Sequence, residues 1–223
     1  MKFDLSQTEE NYLKAMFSLE AKNEAIQLSS LSKMLQVSAP TVNSMVKRMQ
    51  EDAYVIYKKY QPIEMTELGR LKAASIVRKH RLSEMYLQQI MGFGWEEVHD
   101  IAEEMEHVKS DLFFDRMDEV LGFPSHDPHG SPIPDKSGNI QENYLKTLSD
   151  CQLGDKKVLR ALRNSSTEFL HYLNTKGIKL GTLMEVLEVQ DFDASKEIRY
   201  RTEAGELKTS NLSYEVLSRL LVE

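Results

Sequence analysis

Between Val98 and Val120 the chain sets imidazoles and carboxylates at spacings that suit a divalent cation. At about 100° per residue, His99, Glu103, Glu106, His107 and Ser110 fall on one side of a helix, and Ile101, Met105, Val108 and Leu112 fall on the other. Glu103, Glu106 and His107 are spaced i, i+3, i+4, so three donors can converge on one ion from a single rigid element. His80 and Glu84, four residues apart, offer a second pair. A solvated acidic helix with incidental histidines is the competing reading. Two pairs and a triplet in a chain with only 6 histidines weigh against it.

A second group of residues has the chemistry of base-edge contacts. A helix from Pro40 to about Gln50 would bury Val42, Met45, Val46 and Met49 and turn Ala39, Thr41, Asn43, Ser44, Lys47 and Arg48 outward. Ser38, Ala39, Pro40, Thr41, Asn43 and Ser44 are short enough for close approach in a major groove, and Lys47, Arg48, Lys58 and Lys59 suit phosphates. A short helix over Ser30 to Leu35 and a turn at Val37 to Ala39 precede this helix. The segment from Tyr54 to Met65, broken at Gln61-Pro62, follows it as a hairpin. Two helices, a tight turn and a hairpin make a winged helix-turn-helix. The alternative is a three-helix packing unit with a solvated polar face.

The elements that must position these groups are mostly helical. Thr8 to Leu19 carries an apolar stripe of Tyr12, Leu13, Met16, Phe17 and Leu19. Thr66-Glu67 opens a helix toward Met91, Gly92 to Gly94 breaks it, and periodicity predicts one further helix from Trp95 to Leu121. The Pro-rich segment Pro124 to Asp135 is a loop. Beyond it, Val158 to Leu162, Leu183 to Val189, Glu197 to Arg201 and Asn211 to Val216 read as short strands of a small β-barrel-like domain. The fold class is mainly α with a small β domain.

Charge follows the same division. The net charge is −7, yet Lys47 to Leu82 holds nine basic residues against four acids, whereas Trp95 to Val120 holds ten acids against Lys109 and Arg116. A basic module beside an acidic one suits phosphates at one place and cations at another. With a single cysteine, Cys151, no intrachain disulfide forms, which points to a reducing compartment. No apolar run approaches a membrane span, and the polar stretch from Met1 to Thr8 is unlike a signal peptide. The expected location is cytoplasmic.

These residues also carry a resemblance. Ser38 to Val42, Arg78 to Leu82, Val98-His-Asp, Met105 to Val108 and Pro128 to Pro134 resemble the recognition helix, dimer motif, metal helix and following loop of the diphtheria toxin repressor family of iron- and manganese-dependent regulators. Leu153 to Asp155 and Lys179 to Thr182 resemble its SH3-like, ferrous-transport-type module. The resemblance implies a winged helix-turn-helix DNA-binding domain over 1–70, a helical dimerisation and metal-binding domain over 71–135, and a linker with an SH3-like β-barrel over 136–223.

The resemblance further implies two cation sites. One would use Glu103, Glu106, His107 and a side chain of the first helix, whose position falls at Asn11. Iron regulators place methionine there and manganese regulators aspartate, so Asn11 is a departure that brings oxygen without charge. Glu103 stands where iron-type members carry cysteine, so the donors are oxygen and imidazole and suit Mn2+, with Fe2+ the alternative. The other site would draw on His80, Glu84 and His99, with Asp127 and His129 from the loop and Glu168 as a candidate from the C-terminal module. Lys14 stands where a manganese-type member has a glutamate ligand for a close second ion. His126 and His171 read as ordinary surface histidines.

The implied mechanism is a homodimer whose bound ion fixes the winged domain relative to the two-fold axis, so that two recognition helices meet successive major grooves of double-stranded operator DNA and repress metal-uptake genes. Ile101, Met105, Val108 and Leu112, with Phe113 and Met117, form the expected dimer surface. A metalloenzyme would need a substrate cleft and a poised base or nucleophile, and no such motif is present. A metal-independent winged-helix regulator of an organic ligand differs by being indifferent to chelation.

Overall fold

A computed structural model describes residues 5–141 and 145–223. Helix α1 (Gln7–Ala21) starts at a capping box: the Ser6 hydroxyl accepts from the Glu9 amide and the Glu9 carboxylate accepts from the Ser6 amide at 2.8 Å. Its Tyr12, Leu13, Met16 and Leu19 are buried, as the stripe requires. Helix α2 (Leu28–Leu35) ends at Gln36 in the left-handed region, and α3 (Ala39–Glu51) begins at the Ser38 N-cap with Pro40 in its first turn. Strands β1 (Val55–Ile56) and β2 (Glu64–Met65) pair antiparallel, Val55 opposite Met65, and an isolated bridge joins Ile26 to Ile63. Val42, Val46 and Met49 of α3 share one core with the α1 stripe, Leu31, Ile63 and Met65. The winged helix-turn-helix expected from the sequence is thus present.

Helix α4 (Glu67–Gln89) follows the wing. A side chain on Gly69 would lie 2.1 Å from the Tyr54 carbonyl oxygen, so only glycine lets α4 begin this close to β1. The single helix expected from Trp95 to Leu121 is instead two, α5 (Val98–Met105) and α6 (Asp111–Val120). The Glu106 amide still bonds to the Ala102 carbonyl at 2.9 Å. The Val108 amide then closes a tight turn on Met105, and Ser110 accepts from the Phe113 amide as α6 restarts. Apolar periodicity runs on through this break, which is why the pattern did not reveal it. Glu106 and His107 therefore lie just past the end of α5, and the three donors do not come from one rigid element.

Strand β3 (Lys146–Thr147) is followed by β4 (Lys156–Leu162), helix α7 (Thr167–Lys176), β5 (Leu183–Val189), β6 (Lys196–Arg201), β7 (Leu207–Leu212), the short helix α8 (Tyr214–Leu217) and β8 (Leu220–Val222). They form an antiparallel sheet in the order β3-β8-β4-β5-β6-β7. The strand expected at Asn211 to Val216 ends at Leu212, where Ser213 caps α8. Leu159, Met184, Ile198 and Tyr200 from the strands and Leu170 and Leu173 from α7 make the core of this part, with Trp95 among them. Burial pushes the Cys151 thiol pKa up, so the one cysteine is an inert core residue.

The chain folds as two compact units. The first takes in the chain up to Ser83, Ala102–Val120 and Ile133–Gln141; the second takes in Glu84–Ile101, Leu121–Pro132 and the remainder to Glu223. Two of their boundaries fall inside α4 and α5. Among the described residues no helix is long and apolar enough to cross a membrane. Of the expected dimer surface, Leu112, Phe113, Val108 and Ile101 are exposed, but Met117 is buried and belongs to the interior.

Candidate metal centres

The first unit gathers a polar cluster around Glu106, whose side chain is fully buried. Its carboxylate accepts from the Lys14 ammonium at 2.7 and 2.8 Å and stands 2.6 Å from His80 Nδ1. Lys14 also reaches Glu103 Oε1 at 2.5 Å. His107 sits on the other flank, with Nε2 4.0 Å from Glu106 Oε1 and Nδ1 2.5 Å from Glu10 Oε2. A carboxylate on Nδ1 fixes the ring so that Nε2 faces Glu106, the arrangement seen behind metal-bound histidines. The Asn11 side-chain oxygen is buried without a hydrogen-bond partner among the described residues. A buried orphan acceptor is costly unless something binds it. The Glu103 and Glu106 carboxylates, the His107 Nε2 and that amide oxygen are a hard donor set, and they fit a divalent cation such as Mn2+ or Fe2+.

Helix packing puts these groups together. Glu10, Asn11 and Lys14 occupy the polar face of α1 opposite Leu13 and Met16, which are fully buried. Glu10 was missed in the sequence because its signal needs the fold: it neighbours Asn11, but its partner His107 is 97 residues away. His80 was expected with Glu84 and His99; within this unit it also lies 2.6 Å from Glu106 and 4.0 Å from Glu103.

The second unit holds a tighter group. Glu84, Asp127 and His129 are all buried, with ligand-type atoms within 4.8 Å of one another. The Asp127 carboxylate accepts from the backbone amides of His129 and Ser131 at 2.8 and 2.9 Å, which folds the loop back on itself. The His129 ring stacks on Trp95, and its Nε2 donates to the Trp95 carbonyl at 2.8 Å, leaving Nδ1 facing Glu84 Oε2 at 3.8 Å. Burial pushes the His129 pKa down, but Glu84, Asp127 and the Trp95 carbonyl outweigh it, so the imidazole stands above the ordinary histidine value. Gly130 has φ +86°, and any side chain there would meet the Arg160 carbonyl at 2.2 Å. That glycine lets the loop lie against β4, where the Leu162 amide bonds to the His129 carbonyl. His99 Nδ1 is 3.2 Å from Glu84 Oε1. Glu168 is exposed in the first turn of α7, apart from this group's donors, and His171 is exposed nearby on the same helix. His126 bonds to the Ser125 hydroxyl.

Of the residues expected to meet DNA, the N-cap Ser38 and Ala39, Pro40, Thr41, Ser44 and Lys47 of α3 are exposed. Asn43 is half-buried and accepts from the Tyr57 hydroxyl at 3.1 Å, while the Tyr57 amide donates to Gln50 at 2.6 Å, so α3 and the wing hold one another. Arg48 is 3.3 Å from Glu9 of α1, which takes it partly out of the phosphate-binding set.

Comparison with known proteins gives three matches along the chain. Residues 4–63 match the iron-dependent repressor N-terminal DNA-binding domain, residues 66–135 its metal-binding and dimerisation domain, and residues 146–223 the FeoA domain. The iron-dependent repressor IdeR of Mycobacterium leprae is 37% identical over 131 residues, 59% of this chain and 57% of its own length. Thus the chain spans little more than half of that relative. The diphtheria toxin repressor of Corynebacterium efficiens is 39% identical over 198 residues, covering 84% of this chain and 86% of its own. A solved manganese-dependent transcriptional repressor in complex with manganese superposes with a TM-score of 0.84 at 29% identity, over 96% of this chain and 98% of that one. With its helix-turn-helix, its buried donor clusters and this extent of similarity, the chain belongs to the diphtheria toxin repressor family.

Proposed function

We propose that the protein is a metal-dependent transcriptional repressor that binds operator DNA as a cytoplasmic homodimer, with Mn2+ as its cation and Fe2+ as the alternative. The observation that carries this reading is that the first unit holds both the exposed recognition face of α3 and the Glu106 cluster, joined through one core. Asn11, Glu103, Glu106 and His107 would hold the activating ion, with Glu10 orienting His107. Glu84, Asp127 and His129 would hold a second, with His99 beside Glu84. When bound, the ion supplies positive charge that offsets buried carboxylates.

The chain's own residues transmit the state of that cluster. Polar groups of α1 face Glu106 and His107, and the opposite face of α1 packs through Leu13 and Met16 into the core that seats Val42 and Val46 of α3. Fixing the polar face therefore fixes the recognition helix, because packed cores deform in discrete steps rather than continuously. Ser38, Ala39, Pro40, Thr41, Asn43 and Ser44 would read bases, and Lys47 phosphates. The segments 1–70, 71–135 and 136–223 would serve as reading, dimerisation and SH3-like barrel domains, and Ile101, Val108, Leu112 and Phe113 as the dimer surface.

The test is a titration of operator binding against Mn2+, Fe2+ and Zn2+ with a chelator control. Specific binding should appear with Mn2+ or Fe2+ and vanish on chelation. Binding that ignores the chelator overturns the reading and favours a regulator of an organic ligand.

A further inference from the structure

His129 is held at two points by residues outside its own donor group. Its Nε2 donates to the Trp95 carbonyl at 2.8 Å, and its backbone carbonyl accepts from the Leu162 amide of β4 at 2.9 Å. Trp95 is in turn fixed by its side chain. It is 6% exposed and belongs to the core built by the strands and α7, and its Nε1 donates to Asn174 Oδ1 at 2.8 Å. A buried indole N–H needs such an acceptor, because an unsatisfied donor keeps its full desolvation cost. Asn174 stands in the last turn of α7, and that turn is itself pinned. The Gly177 amide donates to the Asn174 carbonyl at 2.9 Å as the helix ends, and the Tyr200 hydroxyl donates to the Lys176 carbonyl at 3.0 Å. A line of bonds thus runs from α7 through Asn174 and Trp95 to the ring whose Nδ1 faces Glu84.

We propose that Asn174 is a positioning residue of the Glu84, Asp127 and His129 centre, setting its cation affinity through Trp95 without being a ligand. The inference rests on the metal-binding reading above and adds a residue to which donor spacing does not point. The Asn174 acceptor holds the indole that stacks on His129, with ring centroids 6.2 Å apart, and with it the carbonyl that accepts from Nε2. With Nε2 so engaged, the neutral ring keeps its lone pair on Nδ1, on the Glu84 side. Without Asn174 the indole N–H is buried and unpaired, so Trp95 turns to find another acceptor and no longer fixes the imidazole. A cation must then order the ring as it binds, which weakens binding. Asp127 and Gly130 still shape the loop, so the effect is a weakening and not a loss.

The experiment measures Mn2+ binding to the full-length chain by calorimetry in a Glu106→Gln background, which removes the central carboxylate of the first centre. Asn174→Ala should weaken Mn2+ binding about 10-fold. Asn174→Asp keeps an acceptor oxygen for the indole and should stay close to the background value. Tyr200→Phe loosens the same end of α7 without touching the bond between Asn174 and Trp95, and should leave affinity unchanged. Should Asn174→Ala not fold, Trp95→Phe cuts the same bond from the indole side, with the same weakening expected. Unchanged affinity in the folded variant that lacks this bond would overturn the inference and leave the metal-binding reading of the cluster intact. An equal loss in Tyr200→Phe, or a loss in Asn174→Asp as large as in Asn174→Ala, would do the same. No Mn2+ binding in the background protein, or binding that His129→Ala does not reduce, would overturn both.

Discussion

The two donor clusters solve the problem of buried negative charge in different ways. Around Glu106 the donors come from α1, α4 and the turn beyond α5, elements far apart in sequence, and a lysine from α1 stands among the carboxylates. Around Glu84 two of the three donors come from one short loop, which Asp127 folds onto itself through the His129 and Ser131 amides and which Gly130 lets rest on β4. The first cluster therefore depends on the mutual placement of helices. The second is pre-organised by its own backbone and by the Trp95 carbonyl that sets the His129 tautomer. A cation at the first should alter where α1 stands; a cation at the second should mainly stiffen a loop already formed.

The sharpest way to break this contrast is Glu106→Gln, which keeps the shape and removes the charge shared by Lys14 and His80. It should lower Mn2+-dependent operator affinity by about 100-fold or more, while circular dichroism shows the fold retained. An unchanged metal response would remove Glu106 from the centre. His129→Ala should weaken cation binding at the second cluster by about 10- to 100-fold and leave the first cluster's ion in place. The one tryptophan, Trp95, has its ring centroid 6.2 Å from that of His129, so Mn2+ should quench its fluorescence, and His129→Ala should abolish that quenching.

Two changes on α1 sharpen the contrast at smaller scale. Glu10→Gln loosens the His107 ring without touching a ligand and should raise the Mn2+ dissociation constant about 10-fold by calorimetry. Asn11→Asp gives the orphaned oxygen a charge and should tighten Mn2+ by a few-fold to about 10-fold. Weaker binding by Asn11→Asp would show that the side chain serves packing instead. The smallest effect is pH dependence at the second cluster. Because the His129 pKa stands above the ordinary value, its proton competes with a cation on the acidic side. Affinity there should fall as pH drops through that raised value and level off above it. In the ion-free protein the sign is opposite: the protonated imidazole adds stability below the unfolded value near 6.5, and this is lost as pH rises through the folded one. Thermal melts with and without Mn2+ across that range check both signs.

Much of this was legible in the residues. The stripe of α1, the Ser38 cap with Pro40 in the first turn of α3, and the aromatic, β-branched wing are local signals, each set by residues within a turn or two of one another. The sequence by itself determined that the chain carries a helix-turn-helix and an oxygen-and-imidazole donor set without thiol. Helical periodicity and residue chemistry are properties of short segments. Only the tertiary structure decided which donors share a centre. The break between α5 and α6 carries Glu106 and His107 off the helix that spacing had given them, because the turn at Val108 continues the apolar period it interrupts. His80 meets Glu106, 26 residues away, and Glu10 and Lys14 enter from α1, 97 and 92 residues from His107 and Glu106. Long-range pairing depends on how helix faces are packed, and no local pattern encodes which buried carboxylate a given histidine or lysine will meet.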